Sequence, residues 1–341
     1  LQVLILLMTL VSWAGAPGVI PGTGGAGAAA HEPARQSFHL VYEAVMPEVP
    51  SSAQQAFLWL PYPPDTPQQT VTGMTIKASV PYDLVTEPRY GNVAVRFTLP
   101  AGAREQTVVM EFDVLREEHV NRPYPRAGAV IPASLARTQR DGAAAGEIAL
   151  WLQPDRRVPV DGLIREWATE TVAGHTSDLG RARAIYDYVV DNLTYDKSGE
   201  GWGRGDIFWA CDTLRGNCTD FHAVFIGYAR AVGIPARFEI GFPIPTERRA
   251  GQVAGYHCWA EFYLEGSGWV PVDASEAFKH PEKRDYYFGA HDADRVLFSV
   301  GRDLVLPGMA GDPLNFFIDP YAEVNGSPIS TVQRRLFYTR K

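Results

Sequence analysis

The sequence predicts a mixed chain, with a β-sandwich-like domain over residues 31–120 and, over 160–325, helices that lead into an aromatic-rich strand pair. Three observations predict it. Five short apolar runs separated by Pro-rich turns fill the first region, two helical periodicities and a third, N-capped one occupy the second, and two strand-like runs then flank a glycine-containing turn. A length of 341 residues, 46% hydrophobic and 11% aromatic, suits one or two globular domains with a sizeable core. The formal net charge of −8 argues against a nucleic-acid partner and offers no attraction to anionic lipid.

The apolar run from Val3 to Trp13 is too short to span a bilayer, and Ala14-Gly15-Ala16 or Ala28-Ala29-Ala30 offers a small-residue cleavage site. Residues 1–30 therefore read as a signal peptide and lead, with an uncleaved anchor as the alternative, and the expected location is exported, periplasmic or extracellular. No membrane segment is expected after Ala30. The five runs of the first domain are Phe38–Tyr42, Ala56–Leu60, Val71–Ile76, Val93–Phe97 and Val108–Val114, at a spacing that suggests a sandwich. Five prolines and an Ala/Gly patch over 121–159 read as a loop-rich linker.

Helical patterns follow over about 161–172 and 180–193, the second with Ala184, Ile185, Tyr188, Val189 and Leu193 on one face. The glycine-rich stretch 195–206 lacks Gly-Lys-Ser/Thr and resembles no phosphate loop; a flexible approach to a cleft is the better reading. Asn217 is a good N-cap, and Phe221, Val224, Phe225, Tyr228 and Val232 recur at helical spacing until Gly233. Cys218 thus sits in the first turn, where unpaired N–H groups and the helix dipole favour thiolate over thiol. The same N–H groups suit a developing oxyanion.

Residues 257–264 and 269–273 read as two strands joined by a tight turn. A three-residue loop, Glu265 to Ser267, pairs 264 with 268 and sets His257 diagonal to Asp273 on one face, about 7–8 Å apart at Cα. A two-residue loop without a bulge puts them on opposite faces. Cys218, His257 and Asp273 then form a nucleophilic triad in which the imidazole takes the thiol proton and the carboxylate fixes its tautomer.

Ala210-Cys211-Asp212-Thr213-Leu214-Arg215-Gly216-Asn217-Cys218-Thr219-Asp220-Phe221, Ala229–Arg237, and His257-Cys258-Trp259-Ala260-Glu261-Phe262-Tyr263 with Trp269–Asp273 resemble the core of the transglutaminase-like superfamily over about residues 160–275. The resemblance implies a papain-like α+β fold, with the cysteine on a central helix packed against an antiparallel sheet that carries His257 and Asp273. It implies acyl chemistry through a Cys218 thioester, acting on a protein, peptide or small amide. Peptidase or amidase-type hydrolysis is favoured over transamidation, because water is the default acceptor. The calcium dependence of animal members is not carried over, since no acidic loop resembles a calcium cage, and no cofactor is expected. An indole N–H serves as an oxyanion donor in those members, which makes Trp209 and Trp202 candidates beside a plain packing role. Asn217, Asp220, His222 and Trp259 are expected to support the triad.

Cys211 and Cys258 flank these motifs, and a disulfide between them is one expectation for an exported chain, two separate buried thiols the other. A metal site built from Cys211, Cys218, His222, His257 and Cys258 is disfavoured, because closely paired ligands are absent. Thiol redox catalysis lacks a C-x-x-C. A non-catalytic interaction module is opposed by the intact triad. Strands near 296–299, 303–306 and 315–318 are expected to complete the catalytic sheet, with 326–341 as a tail; Arg295 and Arg302 read as solvated or salt-bridged, with binding of an acidic substrate as the other reading.

Overall fold

The computed structural model describes residues 32–46, 48–122 and 145–341; the expected signal peptide and most of the expected linker lie outside the described residues. Period-two burial builds the first part. Strand β1 (Arg35–Met46) buries Phe38, Leu40, Tyr42, Ala44 and Met46 in alternation. After β2 (Ala56–Tyr62), β3 (Gln69–Lys77), β4 (Tyr82–Thr86) and β5 (Val93–Thr98), strand β6 (Gln106–Glu117) does the same with Val108, Met110, Phe112 and Val114. The five expected strands correspond to β1, β2, β3, β5 and β6. They divide between two five-stranded sheets whose inward side chains meet in one buried cluster. A short strand β7 (His119–Val120) follows.

The second part begins with α1 (Ala145–Leu150), α2 (Leu163–Thr171) and α3 (Asp178–Asn192), the last capped by Ser177, whose side chain accepts from the Gly180 N–H. The buried stripe of α3 runs through Ala182, Ile185, Tyr186, Val189 and Val190. Strand β8 (Thr194–Tyr195), helix α4 (Ile207–Thr213) and strand β9 (Arg215–Gly216) lead to α5 (Cys218–Ala231), all fourteen residues of which are buried. A helix apolar enough to be covered on every side is a central helix. Gly227 makes the close packing feasible, since a Cβ there would stand 2.3 Å from Ile207 Cδ1 and 2.9 Å from Val158 Cγ1.

Helix α5 packs on a four-stranded antiparallel sheet made by β10 (Ala236–Pro243), β12 (His257–Leu264), β13 (Gly268–Val272) and β15 (Arg295–Val300), in the order β13-β12-β10-β15. Helix α6 (Ala274–Lys279) follows β13, and β14 (Ala290–His291) pairs with β7 across the chain, with His291 opposite His119. The fold is thus a mixed one, a transglutaminase-like helix-and-sheet core joined to a strand-rich N-terminal region.

The last strands return to the first described ones. Strand β11 (Ala250–Gln252) and strand β18 (Gln333–Arg340) extend the β1 sheet, with Phe38 opposite Arg340, while β16 (Tyr321–Val324) and β17 (Ser327–Pro328) extend the β2 sheet. Residues 326–341, expected as a tail, are therefore sheet-forming, and Pro33–Lys341 is one compact unit. Of the three late strands expected in the catalytic sheet, only the first forms, as β15. Leu304 makes an isolated bridge to Leu314, and residues 315–318 are not strand; Phe317 and Ile318 are buried instead. Among the described residues no helix is long and apolar enough to cross a membrane.

Candidate active site

The start of α5 is fixed by its own sequence. The Asn217 side chain accepts from the Thr219 N–H at 2.8 Å, and the Asp220 carboxylate accepts from the Asn217 N–H at 2.9 Å, a reciprocal cap. Asp220 also accepts from the N–H groups of Gly203 (2.7 Å) and Gly205 (3.0 Å), so the expected flexible glycine stretch is tied to the helix. Arg302, expected as solvated or salt-bridged, is instead buried, donates to the Gly205 carbonyl at 2.9 Å and holds the same loop. Cys218 is left in the first turn, 2% exposed.

The hairpin has the three-residue loop that the triad requires. Leu264 pairs with Gly268 and Ala260 with Val272. Asp273 leaves the strand as the N-cap of α6, and His257 Nε2 lies 2.7 Å from its Oδ2. The His257 imidazole also interacts with the Cys218 sulfur. Ser275 Oγ and the Glu276 N–H donate to Asp273 Oδ1 at 3.1 and 3.0 Å, and Arg295 Nη1 donates to Oδ2 at 3.0 Å. A buried carboxylate with this many partners is locked in orientation.

These contacts set the charges. Burial by itself raises the pKa of Asp273, but the His257 and Arg295 charges hold it well below the usual carboxylate range. Burial lowers the pKa of His257, yet the Asp273 carboxylate and then the Cys218 sulfur raise it to about 10. Burial likewise raises that of Cys218, and hydrogen bonds from Cys258 and His257, with the imidazolium charge, bring it well below the ordinary thiol value. The resting state this favours is a thiolate–imidazolium pair.

The supporting residues have distinct contacts. His222 donates from Nδ1 to the Cys218 carbonyl at 2.7 Å and accepts the Ala274 N–H on Nε2 at 3.2 Å, bracing α5 against α6. Trp259 donates its indole N–H to Glu239 at 2.6 Å, and its ring centroid lies 5.9 Å from that of His257. Trp202 gives its N–H to the Gly199 carbonyl at 3.1 Å, so it is committed within its own loop rather than free as an oxyanion donor. The Trp209 indole abuts Gly201, where a Cβ would come within 2.4 Å of Nε1.

All three cysteines are free, so the pairing of Cys211 with Cys258 is not made. Cys211 contacts the Tyr228 hydroxyl, whereas Cys258 faces α5 through Thr219 and His222. Sequence reasoning missed the roles of Arg295, Ser275 and Tyr256, whose hydroxyl meets Asn217 and Thr219. Only the nearness of Ser275 to Asp273 was a local signal. A cavity of ≈ 560 Å³ opens beside His257, lined also by Ile244, Glu276, Tyr287 and Arg295. The disfavoured metal set is not brought together as one. Among the described residues a different trio, His119, Glu261 and His291, brings its ligand atoms within 4.8 Å of one another.

Residues 165–274 match the transglutaminase-like superfamily. The chain is 29% identical over 338 residues to an uncharacterised protein of Haemophilus influenzae, covering 88% of each. It is 25% identical over 135 residues, 35% of this chain and 18% of the other, to the uncharacterised protein YebA of Bacillus subtilis. A crystal structure from Cytophaga hutchinsonii, whose description proposes a cysteine protease, superimposes with a TM-score of 0.59 at 15% identity, over 90% of this chain and 98% of that one. The capped helix bearing Cys218, the sheet behind it and the family match over 165–274 agree on a transglutaminase-like core in this chain.

Proposed function

We propose that the chain is a thiol-dependent acyl-transfer enzyme that cleaves amide or peptide bonds, with Cys218 as nucleophile, His257 as acid and base, and Asp273 as the group that orients the imidazole. The observation that carries this reading is the contact of His257 Nε2 with Asp273 at 2.7 Å, in a ring that also interacts with the Cys218 sulfur. The thiolate attacks the carbonyl carbon, and the C–N bond breaks as imidazolium protonates the leaving amine. Water then gives a proton to His257 and attacks the thioester, releasing the acid and regenerating the cysteine. Substrate approaches from the cavity beside His257. The chain is proposed to be exported, on the apolar run and small-residue sites of its first 30 residues.

Incubating wild type and Cys218→Ala with an amide and peptide library, with and without a primary amine, tests the reading by mass spectrometry. Cys218-dependent hydrolysis is expected. Amine incorporation at the substrate carbonyl makes the chain a transamidase instead, and no Cys218-dependent product makes the fold an interaction module.

A further inference from the structure

Strand β12 alternates. Cys258 faces α5, whereas His257, Trp259 and Glu261 share the opposite face, two residues apart each time. At the far end of that face Glu261 meets two histidines that come from distant parts of the chain and stand opposite each other in the β7–β14 pair. His119 Nδ1 lies 2.9 Å from Glu261 Oε1, and ligand atoms of all three residues lie within 4.8 Å of one another. His291 is fully buried, yet neither of its ring nitrogens has a hydrogen-bond partner among the described residues. Burying an imidazole in that condition forfeits its hydration with nothing in return.

We propose that His119, Glu261 and His291 form a binding site for a divalent transition-metal ion of the zinc class. Two imidazoles and one carboxylate are a donor set that zinc accepts. Tetrahedral bonds of 2.0–2.1 Å put ligand atoms about 3.3 Å apart, so a trio whose atoms lie within 4.8 Å closes on an ion by drawing in at most about 1.5 Å. The carboxylate is already oriented from outside, because Arg237 Nη2 donates to Glu261 Oε2 at 2.5 Å and leaves Oε1 for the metal. A cavity of ≈ 200 Å³ lined by His119 and Glu261 is the way in, and it leaves the fourth coordination position to solvent. Arg116 and Arg237 line the same cavity, which favours hydroxide or a small anion as that fourth ligand. The ion would clamp β7 and β14 onto the strand that begins with His257, fixing that strand from a site distinct from the triad.

The test uses the full chain, stripped with a chelator and dialysed, then titrated with Zn²⁺ by calorimetry and native mass spectrometry. One ion per chain is expected, with a rise in thermal midpoint. His119→Gln and His291→Phe are each expected to weaken binding at least about 100-fold, since even outer partners of metal ligands cost 10- to 100-fold. Cys218→Ala is expected to keep full binding, which separates the site from the nucleophilic thiol. Absence of saturable binding by wild type, equal binding by both histidine variants, or loss in Cys218→Ala overturns the proposal. If His291→Phe does not fold, His119→Gln decides alone, because that residue sits at the half-buried edge of the trio.

Discussion

Replacing Asp273 with Asn removes the charge that holds His257 as imidazolium while leaving the hairpin and the α6 cap in place. The pKa of His257 stands at about 10 against an ordinary 6.5, a preference for the charged ring of about 5 kcal/mol, to which Asp273 is the largest raising contribution. Without it the imidazolium no longer stabilises the Cys218 thiolate, and the thiol returns toward its ordinary value of 9.0. At pH 6.5 the thiolate fraction then falls, because a neutral imidazole no longer stabilises the charged sulfur. The more basic thiolate is intrinsically more reactive, with a Brønsted slope of about 0.4–0.5, which recovers roughly half of that loss on a logarithmic scale. The net expectation is a slower iodoacetamide alkylation of Cys218 in the variant at pH 6.5, with the difference vanishing or reversing as the pH rises and both thiols ionise. Mass spectrometry distinguishes Cys218 from Cys211 and Cys258, whose pKa values are raised by burial. Arg295 keeps Asp292 at 2.7 Å in the variant, so the site is not left with an unpaired guanidinium. An unchanged rate–pH profile in Asp273→Asn refutes the ion-pair reasoning.

Two further outcomes follow from the same geometry. Once a substrate is in hand, kcat/KM requires thiolate and imidazolium together, so it rises as Cys218 loses its proton well below 9 and falls as His257 loses its own near 10; an alkaline limb near 6.5 in the pH–rate profile contradicts this. Gly227→Val forces side-chain atoms into Ile207 and Val158 and is expected to lower stability by about 1–3 kcal/mol in urea denaturation, with an unchanged midpoint refuting the close packing.

The cap at Asn217, the start of the helix at Cys218 and the loop that sets His257 against Asp273 were legible because each depends on residues only a few positions apart. Turn length fixes hairpin register, and register fixes which side chains share a face. The strands β1, β2, β3, β5 and β6 were legible for the same reason, since alternation is a local pattern. The extent of burial of α5 was not, because a helix covered on all sides differs from an amphipathic one only by what surrounds it.

What the tertiary structure alone decided are the contacts between distant segments. Arg295 reaches Asp273 across 22 residues, β18 pairs with β1 across nearly the whole chain, and His119 meets His291 across the β7–β14 pair. None has a periodicity or a spacing that marks it, because closing a long loop leaves no local signature in the sequence. The separation of Cys211 from Cys258 belongs with these: their nearness to one motif in sequence says nothing of which face of which element each occupies. Local chemistry therefore determined where Cys218, His257 and Asp273 stand in their own elements, and packing decided how they are held and what else converges behind them.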